Sequence, residues 1–191
     1  MTDYDDRLSA LAEEAKNGNR EAAERLVVLL HKEVFRMIYY RTFSREDAED
    51  LTQEVFIKMF RSIKKLESPE KIRPWLFSIA LNRVRDFKRW KSIETLFGRR
   101  HGGLDTLRDD KHPGENMERA EVLRSIHRFT EFLPKGEREI FMLRFIDSLG
   151  IAEISATLNK NESTVKTQLY RAMKKFKDDP QMGDMVKGGR T

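Results

Sequence analysis

The stretch SREDAEDLTQEVFIKMFRSI, residues 44–63, decides how the rest of the chain is arranged. Residues 45–63 read as one amphipathic helix. Ser44 is its expected N-cap, since a serine oxygen accepts a hydrogen bond from a free first-turn N–H, and Asp47 three residues on makes an acidic variant of the capping box. Acids crowd the first turns, where the helix dipole favours negative charge. At roughly 100° per residue, Ala48, Leu51, Val55, Phe56, Met59, Phe60 and Ile63 share one broad apolar face that must be buried. The opposite face carries Asp47, Asp50, Gln53, Glu54 and Arg61, with Ile57 in its middle. Two readings of that face stand on the residues alone. One is a solvated surface with a stray apolar side chain, the commoner case; the other is the centre of a protein-binding patch with a polar rim.

Outward from this helix, residues 6–16 and 20–41 show helical spacing, with Asn17-Gly18-Asn19 between them, and predict a helical hairpin leading into residues 45–63. Ser68-Pro69 marks a turn, and residues 72–90 form a further helix that tolerates Pro74 near its start. Leu76, Ile79, Ala80, Val84, Phe87 and Trp90 are its expected core side, with Ser78, Asn82, Arg85 and Arg89 opposite and Trp75 at the border. From Ile93 to Asn116 the period is lost, and glycines and Pro113 gather among charges, a linker's composition. Apolar spacing returns at Val122, Ile126, Phe129 and Leu133; helices are expected over 137–148, 151–158 and 162–177. Every apolar segment fits a period of 3.6 better than 2. The expectation is an all-α fold of two small helical domains joined by a flexible linker: residues 1–92, a linker 93–115, a second domain 116–178 and a flexible tail 179–191.

The chain has 191 residues, 39% hydrophobic and 36% charged, with a net charge of +5, which describes a charge-rich protein with a mild bias toward a polyanion partner. Distribution says more than the total. Residues 45–54 hold five acids against one base, whereas residues 71–91 hold seven bases against one acid, so different faces serve different partners. With no cysteine, disulfides, thiol catalysis and thiol redox sensing are excluded. The acidic start lacks an apolar signal core and no apolar run approaches a membrane span, so a cytoplasmic protein without membrane insertion is expected.

Residues 151–158, the turn 159–161 and residues 162–177 fit a helix-turn-helix in which Ile154, Leu158, Val165 and Leu169 pack together. Asn159 suits the left-handed turn position and Asn161 can cap the second helix. That helix presents Ser163, Thr167, Tyr170, Arg171 and Lys174 on its polar face, with Lys166 at the margin. Short hydroxyls and Arg or Lys are what a major-groove helix needs for base edges and phosphates, although an ordinary helical hairpin would look similar.

The run DAEDLTQEVF, residues 47–56, closely resembles the core-binding helix of the sigma-70 family, in particular its extracytoplasmic-function (ECF) branch. The resemblance implies an RNA polymerase sigma factor, with Asp50, Gln53, Glu54 and Ile57 meeting the coiled coil of the largest polymerase subunit. RPWLFSIA, residues 73–80, with Asn82, Asp86 and Arg89, resembles the segment that reads the promoter −10 element. By that resemblance Trp75, Asn82, Arg85 and Arg89 contact the melted strand, and the loop from Leu66 to Lys71 cradles a flipped base. The helix-turn-helix resembles the −35 reader through Thr164-Val165-Lys166 and Leu169-Tyr170-Arg171-Ala172, adding Thr164 and Lys166 to the contact set. Ser155 and Asn159 stand where the family usually has Ala and Gly.

Nothing in the sequence suggests catalysis. His31, His101, His112 and His127 are scattered without metal-ligand spacing, and no Gly-rich phosphate loop joins a strand to a helix, so no metal, cofactor or enzyme activity is expected. The expected partners are core RNA polymerase, promoter DNA and an anti-sigma factor. The rival is a helix-turn-helix transcriptional regulator that works without core polymerase, which leaves the Asn82 to Arg89 face unused.

Overall fold

A computed structural model describes residues 3–96, 125–180 and 182, in helices joined by short turns and irregular segments, with no strand among the described residues. The chain divides into two compact units, Met1–Asp110 and Lys111–Thr191, whose boundary falls outside the described residues. The expected linker from residue 97 onward, Val122, and most of the expected tail also lie outside them.

Unit 1 is built from α1 (Asp3–Lys16), α2 (Arg20–Thr42), α3 (Arg45–Ser62), two single 3-10 turns (Ile63–Lys65 and Pro69–Lys71) and α4 (Ile72–Leu96). Local chemistry sets the ends. Gly18 takes a φ of +98° between α1 and α2, and Asn19 caps α2 by accepting the Ala22 N–H at 3.2 Å. Ser44 accepts the Asp47 N–H at 3.2 Å, as the sequence predicts for α3. Between them Phe43 sits in the left-handed region at φ 54°, a conformation unfavourable for a residue with a Cβ, held by its N–H bond to Tyr39 O at 2.7 Å.

The helices enclose a core of Leu26, Leu30, Met37, Ile38, Val55, Met59, Leu76, Phe77 and Leu81, all essentially without solvent contact. Each such side chain contributes about 1.5–3 kcal/mol by leaving water. Two expected core residues are not there: Phe60 is 44% exposed and Trp90 57% exposed. Phe60 lies roughly 100° round from the middle of α3's buried face, and Thr52, near that middle, is buried instead. In α4 the run WLFSIAL, residues 75–81, is apolar almost all round, so periodicity could not orient it. Packing against α2 and α3 together turns Phe77 and Leu81 inward and leaves Ile79 half-buried. α4 also continues past the expected end, to Leu96. Its Lys91 pairs with Asp47 in the first turn of α3, so Trp90 lies level with the end of its neighbour, with its ring tilted against Phe87 at 6.4 Å.

Unit 2 contains helical residues 125–131 (α5), α6 (Lys135–Phe145), α7 (Ile151–Leu158) and α8 (Glu162–Asp178). Phe129, Phe141 and Phe176 form a triangle of rings with centroids 5.2–5.6 Å apart, packed with Leu133 and Ala172. The buried Glu137 carboxylate accepts from Lys175 at 2.7 Å and ties α6 to α8. α6 ends at Phe145 rather than at Ser148. Ser148 adopts φ 60° and the Leu149 N–H returns to Leu143 O at 2.9 Å, a closure usually made with glycine. Phe145 is 47% exposed. Within the range expected as a tail, Met182 is 2% exposed, belongs to the aromatic cluster, and donates its N–H to Asp179 Oδ1 at 3.1 Å.

Candidate functional site

In unit 1 the polar side of α3 and one side of α4 form the walls of a groove of about 520 Å³. Ile57 and Ile79 line it, with Glu54 and Lys58 on the α3 wall and Asn82, Arg83 and Asp86 on the α4 wall. The helices are antiparallel here, because Glu54 pairs with Arg83 and Asp47 with Lys91. Asp50 and Gln53 are exposed, Ile57 is 41% exposed beside them, and Phe60, one turn further on, is 44% exposed. Glu54, however, is already engaged within the chain.

Asn82, Arg85 and Arg89 are exposed on α4 and bonded along it: Arg85 donates to Asn82 Oδ1 at 3.0 Å and Arg89 to Asp86 at 2.9 Å. Trp75 is half-buried and its carbonyl accepts from Ser78 at 2.7 Å. The two residue sets that the sequence assigned to separate partners therefore meet, Glu54 and Ile57 facing Asn82 in one groove. Sequence reasoning missed Arg83. It belongs to the basic run of residues 71–91, but only the α3 to α4 packing gives it a role distinct from the other bases.

The turn before α4 is ordered by local bonds. Leu66 is buried, Pro69–Lys71 forms a 3-10 turn, and the Glu70 carboxyl is held below the usual carboxylate range by its own backbone N–H and then by the Ser68 hydroxyl. Arg73, at the start of α4, donates to Glu33 of α2 at 2.8 Å, and Tyr4 of α1 donates to the same carboxylate at 3.1 Å. Burial first, and Glu33 second, push the Tyr4 phenol up to about 12.

In unit 2 the turn between α7 and α8 is built as expected. Asn159 adopts φ 50°, and Asn161 Oδ1 accepts the Thr164 N–H at 2.8 Å and the Ser163 hydroxyl at 3.0 Å. Ile154 and Val165 are fully buried across it, with Leu158 and Leu169 half-buried. Ser155, the departure noted above, donates its hydroxyl to Lys160 O and so closes the turn. Ser163, Lys166, Thr167, Tyr170, Arg171 and Lys174 are all exposed along α8, and Tyr170 is 70% exposed. Thr164 is half-buried. Lys166 pairs with Glu162 at 3.2 Å, and the Thr167 hydroxyl donates to Ser163 O at 2.9 Å. Among the described residues no group of three His, Asp or Glu is placed to hold a metal ion, and no helix is long and apolar enough to cross a membrane.

A helix-turn-helix with a polar, basic second helix, in a chain whose other unit carries a second basic helix face, is an arrangement suited to binding DNA. The family model Sigma-70 region 2 matches residues 26–92, and Sigma-70, region 4 matches residues 123–176. The chain belongs to the sigma-70 family, in its ECF branch. It is similar to the ECF RNA polymerase sigma factor BldN of Streptomyces coelicolor, with 33% identity over 175 residues that cover 88% of this chain. The match spans 64% of BldN's own length. Two solved structures share the fold. CnrH in complex with the cytosolic domain of CnrY has a TM-score of 0.67 at 21% identity, covering 95% of this chain and 98% of that one. The sigma factor RpoE of Bartonella quintana in complex with the anti-sigma factor NepR has 0.61 at 15%, covering 81% and 94%.

Proposed function

We propose that this chain binds core RNA polymerase and directs it to promoters, supplying sequence specificity while polymerase carries out the chemistry. The observation that carries the reading is Ile57, left 41% exposed beside exposed Asp50, Gln53 and Glu54 on a helix whose other apolar residues are mostly buried. Packing of unit 1 engages Glu54 through Arg83 but does not require Ile57 to be exposed, whereas a partner helix would bury Ile57 within a polar rim. In this reading Asp50, Gln53, Glu54 and Ile57 meet polymerase, and Trp75, Asn82, Arg85 and Arg89 meet the melted −10 strand. The −35 duplex is met by Ser163, Thr164, Lys166, Thr167, Tyr170, Arg171 and Lys174. Amide and guanidinium groups suit unstacked bases, and α8 suits the major groove. The protein acts in the cytoplasm, where its targets are, and an anti-sigma factor that covers these faces controls it. The complex of the RpoE relative with NepR supports that last step.

The experiment is capture of purified core polymerase by the full chain. Wild type should bind, and Asp50→Lys should bind about tenfold more weakly, the equivalent of 1.4 kcal/mol, with its helicity unchanged. A chain that binds promoter duplex but never core would instead support the helix-turn-helix regulator. Recovery of the native chain from cells only as free protein or holoenzyme would reject the anti-sigma partner.

A further inference from the structure

Three arginines of α4, Arg83, Arg85 and Arg89, are tethered in two ways. Arg85 and Arg89 bond to Asn82 and Asp86 within their own helix, so covering α3 leaves those bonds as they are. Arg83 is paired instead with Glu54 of α3, on the face read above as the polymerase contact. With Glu54 in place, the groove holds Lys58, Arg61 and Arg83 against Glu54 and Asp86. If a partner engages Glu54, three cations face one carboxylate, and Arg83 loses its counter-ion beside Asn82.

Building on the proposed function, we propose that Arg83 is a further nucleic-acid contact, restrained by Glu54 in the free chain and released when polymerase engages Glu54. A guanidinium freed in this position matches a phosphate bidentately and adjoins the Asn82 amide proposed to read the same strand. The restraint suits an exchange. The two side chains are 41% and 45% exposed, so their pair is weak and a partner that supplies donors to Glu54 can displace Arg83. The coupling is correspondingly small, about two- to fivefold, and by linkage a strand bound to Arg83 strengthens polymerase binding by the same factor.

The test uses the full-length chain, a fluorescent single-stranded DNA oligonucleotide of −10 type, and core polymerase. Glu54→Gln should raise the affinity of the free chain for the oligonucleotide about two- to fivefold, and adding Arg83→Gln should abolish that gain. Arg83→Lys, which keeps the charge, should retain part of it. Arg83→Gln alone should tighten core binding by a similar factor, because Glu54 loses its internal competitor, and should weaken oligonucleotide binding by the holoenzyme. Equal oligonucleotide binding by wild type and Glu54→Gln would overturn the proposal, as would weaker core binding by Arg83→Gln in a chain that melts normally. Failure of wild type to bind core would refute the proposed function, and the free-chain comparison would still decide the exchange.

Discussion

Asn161 is where local helix chemistry and DNA binding meet, and its replacement by Ala tests both. Its Oδ1 accepts the Thr164 N–H at 2.8 Å and the Ser163 hydroxyl at 3.0 Å, at the turn of α8 that carries four of the seven proposed duplex contacts, Ser163, Thr164, Lys166 and Thr167. Ala removes the acceptor and leaves the half-buried Thr164 without its cap, a loss of about 1 kcal/mol within a range of about 0.5–2. One kilocalorie is about fivefold in an equilibrium constant, so fraying of this turn should lower duplex affinity by up to about fivefold. Urea titration followed by circular dichroism reads the first quantity, and fluorescence anisotropy with a promoter duplex reads the second. Asn161→Asp is the control. Its carboxylate still caps the helix, so stability should hold, while its charge near phosphates should weaken binding to every sequence. This role of Asn161 is refuted if Asn161→Ala stays within about 0.3 kcal/mol of wild type, well under the cost of a lost cap. It is equally refuted if affinity falls without any loss of stability, since Asn161 would then act on DNA directly.

Three further outcomes follow from packing and charge. Met182→Ala should destabilise unit 2 by about 2–4 kcal/mol in chemical denaturation, because Met182 is 2% exposed within the Phe129 and Phe141 cluster; a loss below about 0.5 kcal/mol would mean the tail does not pack there. Phe77→Ala should cost about 3–5 kcal/mol while Trp90→Ala costs under about 1, and the reverse order in thermal melts would show that α4 is rotated. Because the Tyr4 phenol is raised from 10.0 to about 12, the folded state favours its neutral form. Its contribution is full below pH 10, and stability is lost as pH rises through 12; Tyr4→Phe should remove that loss and a tyrosinate transition near 12 in an absorbance titration.

Chain-local patterns determined much of this protein. The all-α class, the capping by Asn19, Ser44 and Asn161, the left-handed Asn159 and the exposure of Ile57 were legible, because each depends on neighbours within one or two helical turns. The face of α3 that bears Asp50, Gln53 and Glu54 was legible for the same reason: alternating blocks of acid and apolar residues leave one way to orient the helix. Tertiary structure decided what lacked such a local signal. α4 is apolar on nearly every side around residues 75–81, and only contact with α2 and α3 together chose Phe77 and Leu81 for the core over Ile79 and Trp90. Met182 follows a polar stretch, and it is buried because the Phe129 and Phe141 cluster has room for an apolar side chain. Arg83 resembles the other bases of α4 in sequence; antiparallel packing against α3 alone places it on Glu54, since charge pairing between helices is set by register, which no single helix carries.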